Sequence, residues 1–182
     1  MKKRVLVLSG GGCKGMITTT MLKNFQKKVG VPLHEFFDII IGTSTGAIIG
    51  SMLAAGISIE KIHQMYIDNM KTIFTNQNPW WKPWRTFTRP KYDRECVVRA
   101  MKQCLDEVGI SKYGELKTKF ICSSVNVCSK ENVFFKSTSE KYKDYLITDI
   151  VKRSFAAPVY FGIISDFVEQ IAWSDGGSGL MN

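Results

Sequence analysis

Residues 39–50 read Ile-Ile-Ile-Gly-Thr-Ser-Thr-Gly-Ala-Ile-Ile-Gly, an apolar run interrupted by a serine between glycines. The run predicts a buried strand over 37–41 and, over 47–55, a helix that is buried nearly all round. Ser44 lies in the turn between them, in the pattern G-x-S-x-G, which is typical of a strained turn that exposes a nucleophilic serine. The alternative is a connecting loop that is merely rich in Ser and Thr. The remaining residues of the predicted nucleophile elbow are Gly42, Thr43, Thr45 and Gly46.

Strands and helices alternate on both sides of this stretch. The patterns predict a fully buried parallel strand over 4–8, a hairpin formed by 120–127 and 132–136, and a last strand over 167–173. Helical spacing covers 16–29, 58–70, 93–108 and 148–157. This alternation predicts an α/β fold, a three-layer sandwich with a mainly parallel central sheet, in a single domain over 1–182.

The composition excludes several classes of protein. With 182 residues, 45% of them hydrophobic and 23% charged, the chain is long and apolar enough for one globular domain with a real core. The net charge of +9 favours anionic partners, either nucleic acid or an anionic membrane surface. Five cysteines without a C-x-x-C pair and two histidines form no zinc pattern, and free thiols are expected.

Two apolar segments look briefly like membrane or targeting signals. The run Val5–Leu8 is shorter than the roughly 7–15 residues of a signal-peptide core. No charge lies between Ile39 and Ile57, but glycines, serine and threonines fill the middle of that segment. A strand, a tight turn and a buried helix are therefore predicted there in place of a membrane span.

A glycine-rich loop follows the first predicted strand. It also fits the dinucleotide pattern G-x-G-x-x-G, but that site needs an acidic residue at the end of the next strand, and Asp38 stands at its start. A P-loop fails because Lys14 is followed by Gly15. Glycine N–H groups at a helix N-terminus stabilise developing negative charge. The predicted oxyanion hole comprises Gly10, Gly11, Gly12, Cys13, Lys14 and Gly15.

A nucleophilic serine needs a base. An ordinary α/β-hydrolase has the order serine, acid, histidine, but no histidine follows His63, and His63 and His34 both favour an interpretation as solvated side chains. A carboxylate that acts directly on the serine remains, although a histidine from an unusual place is not excluded. Asp175 is the candidate, because a predicted strand delivers it and a sharp turn follows. The predicted turn residues are Gly176 and Gly177.

Together these motifs resemble those of the patatin-like phospholipases, in order and spacing over nearly the whole chain. The family's G-G-G-x-R/K-G, G-x-S-x-G and D-G-G/A motifs match residues 10–15, 42–46 and 175–177, and 153–161 is similar to its A-A-P segment. The family continues to Asn-Asn-Pro, where this chain has Met181 and Asn182. The chain is therefore interpreted as a domain that ends early, either a fragment or a shortened relative.

The resemblance implies a lipid acyl hydrolase of the phospholipase A type, a serine esterase with a Ser44–Asp175 dyad that requires no metal or other cofactor. The expected substrate is phospholipid or another acyl-lipid ester, and the expected location is the cytoplasm, peripherally on a membrane. No nucleic-acid partner is expected, because no motif supports one. The alternative function is that of a catalytically inactive patatin-like protein that binds a membrane or a partner.

An aromatic and basic segment lies between the predicted helices 58–70 and 93–108. Tryptophans favour the headgroup level of a membrane and cations favour anionic lipid, so the segment predicts membrane contact. The alternative is a loop packed over the protein's own core. The predicted contact residues are Trp80, Trp81 and Trp84.

Overall fold

The computed structural model describes residues 2–73, 90–166 and 170–180. The strands in these residues are β1 (Val5–Leu8), β2 (Ile39–Gly42), β3 (Lys119–Asn126), β4 (Glu131–Lys136), β5 (Ile164–Asp166) and β6 (Ile171–Asp175). The helices are α1 (Gly15–Val29), α2 (Leu33–Phe36), α3 (Thr45–Ala54), α4 (Ile59–Ile73), α5 (Arg94–Glu107), α6 (Ile147–Ser154) and α7 (Gly177–Leu180). Short 3-10 helices occupy Gly12–Lys14 and Tyr113–Glu115.

The described strands form one sheet, in which most strands run the same way. β1, β2 and β3 are parallel neighbours. β4 and β6 run antiparallel to β3, and β5 runs antiparallel to β6, so β5 has the direction of β3. Helices lie between successive strands along most of the chain. The predicted α/β fold with a mainly parallel central sheet is confirmed, and so is the hairpin of β3 and β4.

One edge of β3 has two different neighbours. Its first half pairs with β2 as far as Gly42 opposite Cys122, and its second half pairs with β6 from Asp175 opposite Ser124. β4 pairs with β3 along the opposite edge. β2 and β6 therefore point toward each other along the same edge, with Ser123 between their ends. The loops that follow these two strands meet there.

Helix α3 covers one face of the sheet at close range. Every residue of the helix is buried. A Cβ at Gly50 would lie 2.8 Å from Cε2 of Phe120 and 3.1 Å from Cγ2 of Ile40, so the helix axis lies close to the strands. The segment between Ile39 and Ile57 is thus the predicted strand, turn and buried helix. Within the described ranges, no helix is long and apolar enough to cross a membrane.

The opposite face of the sheet is open at β1. Val5 and Val7 are 45% and 66% exposed, and Phe134 of β4 is 47% exposed. Leu8, which points toward α3, is buried. The prediction of a fully buried first strand is therefore wrong for one face, because β1 is the last strand of the described sheet on its side and a helix covers only its other face.

The C-terminal strands also differ from the sequence prediction. The last strand, β6, begins at Ile171 rather than at residue 167, and an additional strand, β5, precedes it. The two pair as an antiparallel hairpin.

The predicted membrane-contact residues Trp80, Trp81 and Trp84 lie outside the described residues.

Candidate active site

The backbone at Ser44 is strained. Its φ of 55° and ψ of −123° place it in a region that residues with a side chain rarely adopt. A Cβ at Gly42 would overlap the backbone of Gly46, and a Cβ at Gly46 would overlap the carbonyl oxygen of Leu8. Only glycine fits at both positions, so strand and helix approach each other at backbone distance. The turn thus has the strained serine and the close approach of strand and helix that the elbow prediction requires.

Hydrogen bonds to distant elements hold the elbow in place. The backbone N–H of Ser44 donates to Oγ of Ser154 at 3.0 Å. The Thr43 and Ser123 hydroxyl oxygens are 2.7 Å apart. Thr45 Oγ1 donates to the carbonyl of Gly12 at 3.1 Å. Ser44, the elbow, the glycine loop and the end of α6 are therefore parts of one hydrogen-bonded arrangement.

Asp175 ends β6 and is 7% exposed. Its backbone N–H donates to the carbonyl of Ala156 at 3.1 Å, and the N–H of Gly177 donates to Oδ1 of its side chain at 2.7 Å. A Cβ at Gly176 would overlap the side chain and backbone of Ser123, so the turn after Asp175 packs directly on β3. The D-G-G motif thus orients the carboxylate and fits between the strands.

Burial raises the pKa of the Asp175 carboxyl above its ordinary value, because the charged form is less well solvated there. A side-chain hydrogen bond with Ser44 and the N–H of Gly177 oppose this shift by favouring the carboxylate. A carboxylate with a raised pKa is a stronger base than a solvated aspartate, and it lies within hydrogen-bond reach of the serine.

The glycine loop lies against the serine. A Cβ at Gly10 would be 3.0 Å from Cβ and 3.6 Å from Oγ of Ser44, so a side chain at this position would crowd the serine hydroxyl. Gly12 has a φ of 57°, in the left-handed region, where glycine is unstrained. The predicted loop and the predicted serine are thus neighbours in space.

Not all amides of this loop are free to bind an oxyanion. The N–H of Lys14 donates to Gly11 O at 3.1 Å, and the N–H of Gly15 also bonds within the loop. Among the described residues, no hydrogen bond to another turn or loop is donated by the N–H groups of Gly10, Gly11, Gly12, Cys13 or Thr45. Gly11, Gly12 and Thr45 are thus among the available donors, while Lys14 and Gly15 shape the loop through their backbone bonds.

A cavity of about 990 Å³ opens onto these residues. Its polar lining includes the glycine loop, the elbow and Asp175, and its apolar lining includes Ile48, Met65, Val97, Phe155 and Phe161. Lys14 and Lys91 also line it. This volume lies at the upper end of the range of ~300–1,000 Å³ that is typical of ligand pockets. The cavity therefore has room for an acyl chain next to Ser44.

Neither histidine of the chain belongs to the described lining of this cavity. Nδ1 of His63 lies 2.8 Å from Oγ1 of Thr19, and burial, together with the nearby Lys23 charge, lowers its pKa. His34 contributes its backbone carbonyl to Thr118. The structure thus gives no support to a histidine base from an unusual place. Both histidines are half-buried, so the interpretation of them as solvated side chains holds only in part.

Sequence reasoning missed the residues that support the site from a distance. Ser123 and Ser154 contact the elbow, and Tyr66 lines the cavity. Serines in a strand and at a helix end carry no local signal of such a role. Ser154 lies within 153–161, the segment that is similar to the family's A-A-P block, and this similarity is the one sequence signal for its role.

Known phospholipases resemble this chain in sequence. The chain is 27% identical over 177 residues to a cGAMP-activated phospholipase of Pseudomonas aeruginosa, covering 95% of this chain and 52% of the relative. It is 28% identical over 175 residues to a cGAMP-activated phospholipase of Vibrio cholerae, covering 87% and 49%. The chain thus spans about half the length of these curated relatives.

A solved structure shows the same fold. VipD from Legionella pneumophila matches with a TM-score of 0.67 at 16% identity, over 100% of this chain and 47% of VipD. The family model described as Patatin-like phospholipase matches residues 6–181, which includes all three motifs. With the fold and the family match in agreement, the chain belongs to the patatin-like phospholipase family.

Proposed function

We propose that this chain is a lipid acyl hydrolase of the phospholipase A type that uses Ser44 and Asp175 as a catalytic dyad. The observation that carries the proposal is the buried carboxylate of Asp175, which accepts from the N–H of Gly177 and whose pKa the Ser44 side chain influences, beside a large, mostly apolar cavity. A strained serine with an adjacent base is the arrangement expected for a nucleophile.

The reaction would proceed through an acyl-enzyme. Asp175 accepts the proton of Ser44 as Oγ bonds to the ester carbonyl carbon, and the N–H groups of Gly11, Gly12 and Thr45 stabilise the oxyanion. The bond to the leaving alcohol then breaks, and the alcohol takes the proton from Asp175. Water, deprotonated by Asp175, attacks the acyl group, and the fatty acid leaves as Ser44 regains its proton.

The test is covalent labelling with a fluorophosphonate, with Ser44→Ala as the control. Because the two relatives above are cGAMP-activated phospholipases, labelling is measured with and without cGAMP. We expect labelling in the unmodified chain and none in Ser44→Ala. A folded chain that stays unlabelled under both conditions would contradict the proposal and favour a non-catalytic binding protein.

The cavity entrance supports a lipid at an anionic surface as the substrate. Val159, Tyr160 and Ile163 are exposed although they are large and apolar, and Tyr160 lines the cavity. Lys14 and Lys91 add positive charge to the lining. We propose peripheral membrane contact at this entrance, since apolar patches with cations favour anionic lipid surfaces.

Lys91→Gln tests this part of the proposal. On vesicles that contain phosphatidylglycerol, we expect turnover to fall about threefold to tenfold at low salt, since one cation near the surface contributes about 1 kcal/mol. The difference should shrink in about 0.5 M salt, which screens the interaction. The exposed Lys102→Gln is the matched control for charge. Equal losses in both variants would mean that only net charge matters.

A further inference from the structure

Tyr66 of α4 carries a buried hydroxyl without a partner. The residue is 4% exposed, and its hydroxyl forms no hydrogen bond to any part of the chain that the structure describes. Tyr113 offers the contrast, because it is equally buried and its hydroxyl donates to the carbonyl of Phe135 at 3.0 Å. Buried polar groups are nearly always hydrogen-bonded in folded proteins, so the free hydroxyl of Tyr66 requires an explanation.

The position of the Tyr66 ring explains why its hydroxyl has no partner among the described residues. Tyr66 lines the cavity. A Cβ at Gly15 would lie 2.8 Å from Cε1 and 3.1 Å from Cζ of Tyr66, and 2.5 Å from Cγ2 of Thr45. The end of the ring that bears the hydroxyl therefore meets the end of the glycine loop and the residue that follows Ser44. Thr45 in turn donates to the carbonyl of Gly12 in that loop.

The chemistry of the group suits a hydrogen-bond donor. Burial raises the pKa of the Tyr66 phenol well above its ordinary value, so the O–H stays neutral at physiological pH. A buried donor without an acceptor lowers the stability of the empty protein, and a ligand oxygen would remove that penalty. Sites of this kind discriminate strongly between ligands with and without the matching polar atom.

We propose that the hydroxyl of Tyr66 donates a hydrogen bond to an oxygen of the acyl-lipid ester bound in the cavity. Tyr66 is then a substrate-binding residue in addition to the dyad and the loop. The inference rests on the proposed function and names a contact that holds the substrate of that same site.

Tyr66→Phe removes the hydroxyl and keeps the ring. We expect kcat/KM for dioctanoylphosphatidylcholine to fall about tenfold, equivalent to about 1.4 kcal/mol, mainly through a higher KM. Fluorophosphonate labelling of Ser44 should persist. The Tm should stay equal or rise, because the variant loses an unpaired buried polar group. Unchanged kinetics in the labelled variant would overturn the inference, and so would a lower Tm, which indicates a structural hydroxyl.

Tyr113→Phe is the matched control. It removes a buried hydroxyl whose hydrogen bond to the Phe135 carbonyl is lost. We expect a lower Tm and unchanged kcat/KM, the opposite of the result for Tyr66→Phe. If both variants behaved alike, the unpaired state of Tyr66 would have no bearing on binding.

Two further measurements assign the contact and separate it from catalysis. On p-nitrophenyl butyrate, whose oxygens near the serine are those of the scissile ester, a tenfold loss would place the contact at that ester. An unaffected rate would place it at another lipid oxygen. Binding can be measured without turnover in the Ser44→Ala background. There, dioctanoylphosphatidylcholine should raise the Tm more when Tyr66 is kept than when it is replaced by phenylalanine. Equal shifts, including none in either protein, would overturn the inference even if the fluorophosphonate test of the proposed function had failed.

Discussion

Replacing Asp175 with asparagine is expected to lower kcat/KM for ester hydrolysis by about 10³–10⁴-fold, the range seen when a catalytic dyad or triad loses a member. Asparagine keeps the size of the side chain and an oxygen for the N–H of Gly177. It does not accept the proton of Ser44, so the nucleophile is not activated. The measurement is steady-state hydrolysis of a short-chain phosphatidylcholine.

The stability of Asp175→Asn is the control that shows whether its loss of activity is due to unfolding. Because burial raises the pKa of Asp175, the folded chain favours the protonated form. The resulting stabilisation is full below the unfolded pKa and is lost as pH rises through the folded pKa. At neutral pH, Asp175→Asn should therefore be at least as stable as the unmodified chain. Asp144→Asn, an exposed partner of Lys112, is the matched control and should leave kcat/KM unchanged.

The same carboxyl sets the expected pH dependence. For the unmodified chain, kcat/KM should fall as the pH drops through the raised pKa of Asp175, because only the carboxylate accepts the serine proton. A wild-type rate in Asp175→Asn would contradict the assignment.

Gly46→Ala is expected to have the largest effect on stability. The new Cβ would overlap the carbonyl oxygen of Leu8, a backbone atom at the end of β1. Backbone cannot move aside as a flexible side chain does, so α3 would have to leave the sheet. We expect a loss of more than about 4 kcal/mol of unfolding free energy, in the exceptional range for one substitution. Urea unfolding followed by circular dichroism measures it.

Gly109→Ala is the control for the cost of replacing a glycine with alanine where the added Cβ overlaps nothing. Gly109 has a φ of 68° and no atom within 4 Å of an added Cβ, so alanine meets strain without overlap. Its cost should be about 1 kcal/mol, the typical penalty for the left-handed conformation. If Gly46→Ala were no less stable than Gly109→Ala, the close approach of strand and helix would not be essential.

The parts of the site that sequence reasoning predicted are local in the chain. Ser44 was identifiable because glycines, a strand and a helix surround it within a few residues. Asp175 was identifiable as its candidate partner because a predicted strand and a glycine turn surround it, and the family resemblance agreed with that choice. The exposed face of β1, the short strand β5 and the roles of Ser123 and Ser154 all depend on which strands become neighbours. Tyr66 carried no signal because a tyrosine on the apolar side of a helix is ordinarily core.

The meeting of β2 and β6 on one edge of β3 has a consequence for biosynthesis. The serine is translated well before the aspartate, because β2 and α3 precede β6 in the chain. Contacts between residues so distant in sequence form late, because the chain between them must be ordered first. A nascent chain that has already folded β1, β2 and α3 thus still lacks its base. Under the proposed function, a cell that makes this protein would be spared lipid hydrolysis by incomplete chains.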